Sequence, residues 1–208
     1  MSPETTAIIL VGYQNDYFAP DGVLRGAIED GRGPDSVRTS TNALLDGLGS
    51  LPVTVISTPI LFTEDYHELV DPVGILEVVK NARAFRLGTE GGATISDLTD
   101  RGDRVVEIPG KRGLNAFSNT DLEHELTLRG IRDVVLAGVI TSICIDSTAR
   151  AAHDKGFAVH VLSDCTAGRT RFEQDFFCRE VFPLYASVRT SVELLAELRA
   201  SREALAHA

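Results

Sequence analysis

The chain is poor in sulfur and in paired metal-binding side chains. It has three cysteines, one methionine and no tryptophan, and Cys144, Cys165 and Cys178 form no CxxC pair. Three thiols cannot all be disulfide bonded, which suits a reducing compartment. His67, His124, His153, His160 and His207 show no HxxxH or DxH spacing, so no metal site and no cofactor are expected. Long apolar spans, a secretory-leader pattern and a lipidation box are missing, which makes the cytoplasm the expected location. Basic residues are outnumbered 20 to 30 by acidic ones, for a net charge of -10. They are also dispersed, so neither nucleic acid nor an anionic membrane is expected as a partner; a small molecule is.

What is present is an ordinary globular composition, 43% hydrophobic and 24% charged, over 208 residues. That length fits one α/β domain spanning residues 1–208 and can bury a substantial core. Residues 6–11, TAIILV, form a continuous β-branched run, the mark of a central strand covered on both faces. Further strands are expected at 53–56, 104–108, 133–137, 158–162 and 186–190, with Asp164 just beyond the fifth. Helical spacing is expected over 34–48, 74–81, from Asn119 or Thr120 to Gly130, from Thr141 to about Lys155, over 171–182 and over 191–206. Alternation of strands and helices predicts a doubly wound, mainly parallel six-stranded sheet with helices on both faces. The glycines of FRLGTEGGA suggest a lid or inter-subunit loop.

The stretch GVITSICIDST, 138–148, carries the chemistry. A strand delivers the chain to Gly138, and Thr141 and Ser142 open a helix with Cys144 in its first turn. Unpaired N–H groups and the helix dipole favour a thiolate there, and the same groups can hold an oxyanion. A buried inert thiol is the commoner fate of a free cysteine. Two other groups fall after other strands, the Gly12 to Phe18 loop and Lys111. In an open α/β sheet those carboxyl ends converge. A lysine beside Cys144 would stabilise the thiolate or the oxyanion; otherwise it is a solvated surface residue.

The blocks AIILVGYQNDYF, KRGLNAFSNTDL and LAGVITSICIDSTARAAHDKGF resemble the isochorismatase-like cysteine hydrolase superfamily, which includes nicotinamidases and N-carbamoylsarcosine amidohydrolase. The resemblance implies hydrolysis of a C–N bond in a small amide or ureide. It makes Cys144 the nucleophile and Lys111 the supporting cation. It also implies a cis peptide bond between Val139 and Ile140, with the N–H groups of Ile140 and Cys144 forming the oxyanion hole. Dimers or tetramers are implied as well, with residues 85–92 reaching a neighbouring subunit. The metal-dependent branch uses an Asp and histidines after the second strand. Here STPILFTEDYHELVDP has only His67, so no such metal site is expected.

One departure stands out. The superfamily's first motif carries an aspartate that takes the cysteine proton, and alignment places it on Gly12; Gln14, Asn15 and Asp16 match the rest. Losing a general base costs about 10²- to 10⁴-fold in rate. A helix terminus and Lys111 return only about one decade. Asp16, Glu107, Asp164 and a carboxylate on the substrate itself are the candidate replacement acids. The missing side chain at Gly12 is also expected to leave volume near Cys144 for a water or part of a ligand. Pocket candidates are Gly12, Gln14, Asp16, Phe18, Phe117 and Thr141, with Phe62 and Phe85 as further aromatics; Cys165 and Cys178 are taken as structural. A second reading is a weakened or inactive relative that binds a ligand or partner through the inherited pocket. On that reading Gly12→Asp creates or increases activity.

Overall fold

The structure, a computed structural model, describes residues 1–29 and 33–206. Its strands are β1 (Thr6–Val11), β2 (Thr54–Thr58), β3 (Val106–Glu107), β4 (Asp133–Val139), β5 (Ala158–Ala167) and β6 (Ser187–Arg189). They form one sheet in the order β3-β2-β1-β4-β5-β6, with every neighbouring pair parallel. The helices are α1 (Asn15–Phe18), α2 (Gly33–Leu48), α3 (Ile75–Asn81), α4 (Ser96–Thr99), α5 (Leu122–Leu128), α6 (Asp146–Asp154), α7 (Arg171–Phe176) and α8 (Ser191–Ala206).

Side chains alternate across a strand, so β1 feeds both faces of the sheet. Ile8 and Leu10 enter one core, where α2 contributes Val37, Leu44 and Leu48 and α8 contributes Leu194 and Leu198. Ala7, Ile9 and Val11 enter the other, with Leu122 and Leu126 of α5 and Ala149 and Ala152 of α6. A strand buried on both sides reads as an unbroken apolar run, as β1 does. The strand order reverses between β1 and β4, and open sheets of this kind bind ligands in the crevice at that point.

Several boundaries differ from expectation for local reasons. β3 is two residues, because residues 102–104 form a 3-10 turn and Arg104 donates to the carbonyls of Val53 and Leu51. β5 runs on to Ala167 through a bulge, so Asp164 lies inside the strand rather than beyond it. α5 starts at Leu122, since Asn119 has φ +60 and interrupts any helix there. The stretch expected as one helix over 171–182 is α7 followed by a π-helical turn, Phe177–Val181, and a 3-10 turn containing Pro183.

Candidate active site

β1 and β4 end side by side, with Val11 opposite Gly138. A Cβ on Gly138, which has φ +125, would lie 1.9 Å from the Val11 carbonyl oxygen, so only glycine lets the two strand ends meet this closely. The chain then passes through a cis Val139–Ile140 bond into a π-helical turn, Thr141–Ile145, that leads into α6. π-Helical turns inside helices recur at functional sites. Cys144 sits on this turn and is buried, with 9% of the residue exposed.

Lys111 reaches the same point from the far side of β1. Its backbone pairs with Ile60, and its carbonyl accepts from the Leu61 N–H at 3.2 Å. Ile60 is itself fixed by Gln14, which accepts from its N–H at 2.9 Å and donates to its carbonyl at 2.8 Å. The result is a Lys111 side chain that is 1% exposed, with Nζ 3.7 Å from Cys144 Sγ. Among the described residues no carboxylate lies within 4.0 Å of that ammonium. The ammonium and the sulfur therefore face each other in a region of low dielectric, where their electrostatic coupling is strong.

The remaining first-motif residues bind backbone, and Asn15 and Asp16 also line a small cavity of about 190 Å³ with Glu90 and Gly91. Gln14 also donates to the Gly92 carbonyl, Asn15 Nδ2 donates to that of Glu90, and Asp16 Oδ2 accepts from the Phe85 N–H at 2.6 Å. Together with the N–H groups of Asn15 and Asp16, they tie residues 85–93 to the end of β1. Burial pushes the Asp16 carboxyl up, against the opposing pull of the Phe85 N–H and Arg86. A carboxyl raised in the folded state contributes stability that is full below its ordinary range, about 3.9, and is lost as pH rises through its raised value. The stability of the wild type relative to Asp16→Asn is thus expected to be greatest near pH 4 and to shrink towards pH 7 in urea melts; a difference constant with pH would contradict this.

Phe18 is not in the pocket: it is 1% exposed and stacks on Tyr13 with ring centroids 5.0 Å apart. Phe62 and Phe85 are likewise core residues. Phe117 packs in the same cluster as Cys144 and stacks on Phe157. Of the candidate acids, Glu107 accepts from Thr94 Oγ1, and Asp164 accepts from the N–H and hydroxyl of Ser191 at the start of α8.

The expected space at Gly12 is filled. A Cβ there would meet the Val139 carbonyl oxygen at 2.8 Å and Tyr17 Cδ2 at 3.7 Å, and Gly12 has φ +75. Tyr17 is a site residue that sequence reading missed. Burial pushes its phenol far up, reinforced by the nearby Cys144 and Asp16, so the group stays a hydrogen-bond donor. Its signal was the short helix α1, whose turn carries residue 17 back towards Gly12. Also missed were Glu173 and Gln174 of α7, which accept from Ser142 Oγ and Thr141 Oγ1 respectively. Beside the turn opens a cavity of about 740 Å³, lined by Ile75, Val78, Leu114, Ser142, Ile143 and Arg169 among others. The start of α3 and the turn that carries Cys144 thus share this cavity.

A doubly wound parallel sheet that brings a buried thiol and a buried ammonium together at its switch point belongs to the α/β proteins that bind ligands at the sheet's carboxyl edge. The chain belongs to the Isochorismatase family, whose domain model matches residues 6–193. It is 32% identical to Nicotinamidase 3 of Arabidopsis thaliana over 111 residues, 53% of this chain and 56% of that protein. It is 29% identical to the ureidoacrylate amidohydrolase RutB of Caulobacter vibrioides over 179 residues, 80% of this chain and 78% of that one. The match spans about half the length of the first of these curated relatives. The fold is that of a cysteine hydrolase from Pseudomonas syringae pv. phaseolicola 1448A, with TM-score 0.82 at 20% identity over 97% of this chain and 95% of that one.

Proposed function

We propose that this protein is a cysteine hydrolase that cleaves a C–N bond in a small amide or ureide. The observation that carries the reading is the 3.7 Å approach of Lys111 Nζ to Cys144 Sγ, both buried, on a turn that borders a cavity. The Cys144 thiolate attacks the substrate carbonyl, and the N–H groups of Ile140 and Cys144 hold the oxyanion while Lys111 offsets its charge. The departing nitrogen takes a proton from a water molecule and leaves as the neutral amine; the hydroxide so formed cleaves the thioester, releasing the acid and restoring the Cys144 thiolate. The printed names of the relatives, a nicotinamidase and a ureidoacrylate amidohydrolase, support amide or ureide chemistry. We further propose that residues 1–208 form one domain, acting in the cytoplasm as a dimer or tetramer on a small molecule.

A second reading, a weakened family member that binds a ligand, is favoured by one observation. Gly12 offers no carboxylate, and Asp16, Glu107 and Asp164 are all hydrogen bonded elsewhere. Ammonia release from a panel of primary amides and ureides separates the two. The hydrolase reading expects at least one substrate to be turned over well above the background of Cys144→Ala. Wild-type release no faster than that background across the panel would leave the binding reading.

A further inference from the structure

β5 carries an irregularity whose purpose the catalytic reading leaves unexplained. Leu136 of β4 pairs with Val161, but Gly138 pairs with Thr166, so two steps along β4 face five along β5. Bulges of this kind take backbone groups out of the ladder, and they concentrate next to active sites. The carbonyl of Ser163 and the hydroxyl of Thr166, both on the bulge, are taken up by one side chain, Gln174 of α7.

Gln174 is 1% exposed. Its Nε2 donates to Ser163 O at 3.2 Å and Thr166 Oγ1 at 3.1 Å, and it contacts Cys178 Sγ at 3.4 Å. Thr166 Oγ1 spends its own proton on Leu162 O at 2.9 Å, so it can only accept from Gln174. That fixes the amide: nitrogen towards the bulge, oxygen towards Thr141, whose Oγ1 donates to Oε1 at 2.5 Å. The neighbouring Glu173 accepts from Ser142 Oγ and from Arg169 Nε. Two successive side chains of α7 thus hold the two residues that open the nucleophile's turn.

We infer that Gln174 is a positioning residue, a buried strut between the β5 bulge and the Thr141–Ile145 turn that sets where Cys144 Sγ points. The inference rests on the reading of Cys144 as nucleophile. Its force is geometric: a misplacement of about 1 Å at a reacting group can cost about 10²-fold in rate. The polarity of the strut follows from the hydrogen-bond inventory. A glutamine supplies donors on one side and an acceptor on the other, an ionised glutamate supplies acceptors only, and a protonated glutamate restores one donor.

The test is alkylation of Cys144 by iodoacetamide, followed by mass spectrometry of its peptide and expressed as the ratio of variant to wild type. Gln174→Met and Thr141→Val are each expected to slow labelling about tenfold or more, with the double variant no slower than the worse single, because they break one link. Gln174→Glu should be slowed at pH 8 and should recover severalfold relative to wild type at pH 5. The near-isosteric Thr141→Val decides the matter if the Gln174 variants do not fold. Variants that melt cooperatively and label at the wild-type rate at both pH values, or whose effects add, would overturn the inference. The absolute wild-type rate reports separately on whether Cys144 is a reactive nucleophile at all.

Discussion

Lys111→Met is expected to lower turnover by about 10²- to 10³-fold, the usual cost of removing one preorganised electrostatic stabiliser. The same substitution should leave the folded state as stable as the wild type, or more so. An ammonium almost wholly out of solvent whose only hydrogen-bond partner among the described residues is a sulfur at 3.7 Å carries a desolvation penalty that a methionine of similar shape avoids. Activity and stability should therefore move in opposite directions, which thermal melts and ammonia release on the same preparations will show. A Lys111→Met protein that unfolds at lower temperature while keeping its turnover would assign the lysine a structural role.

Gly12→Asp is expected to destabilise the protein by about 2–4 kcal/mol and to bring no gain in activity. Left-handed backbone costs a non-glycine residue about 1–2 kcal/mol. The new Cβ would also press on the Val139 carbonyl oxygen at 2.8 Å, a backbone atom of the turn that positions Cys144. For a chain of this size each kcal/mol lowers the melting temperature by about 2–4 °C, so a drop on the order of 5–15 °C is expected. The reading of a weakened relative expects the opposite, that restoring the aspartate creates or increases activity. An unchanged melting temperature with raised ammonia release would show that the backbone accommodates the side chain and that a general base was all the site lacked.

The linear chain makes some of this fold and site legible and hides the rest. β1 emerges at the expected residues because TAIILV has no competing local preference, and α8 does so because Ser191 opens a regular helical pattern. The meeting of Lys111 with Cys144 follows from topology, since both lie just past the carboxyl ends of parallel strands. What stays hidden depends on partners distant in sequence. Ser163 and Asp164 look like the end of β5 because they are polar. The strand continues past them only because Gln174 takes the Ser163 carbonyl and Ser191 takes the Asp164 carboxylate, 11 and 27 residues away. The Thr141 to Gln174 bond spans 33 residues and leaves no local pattern. The crowding at Gly12 is hidden for a related reason: a sequence records the side chain that is missing, not the Val139 carbonyl oxygen 2.8 Å from where a Cβ would sit.

Differential labelling of the three thiols at pH 7 tests the central claim most directly. Cys165 is fully buried, and burial pushes its thiol up to about 12, so it serves as an inert internal reference. If Cys144 is a nucleophile poised by Lys111, it should be alkylated first, at least about tenfold faster than an unperturbed thiol, and Lys111→Met should abolish that lead. Labelling of Cys144 as slow as that of Cys165, or a lead that persists in Lys111→Met, would contradict the account.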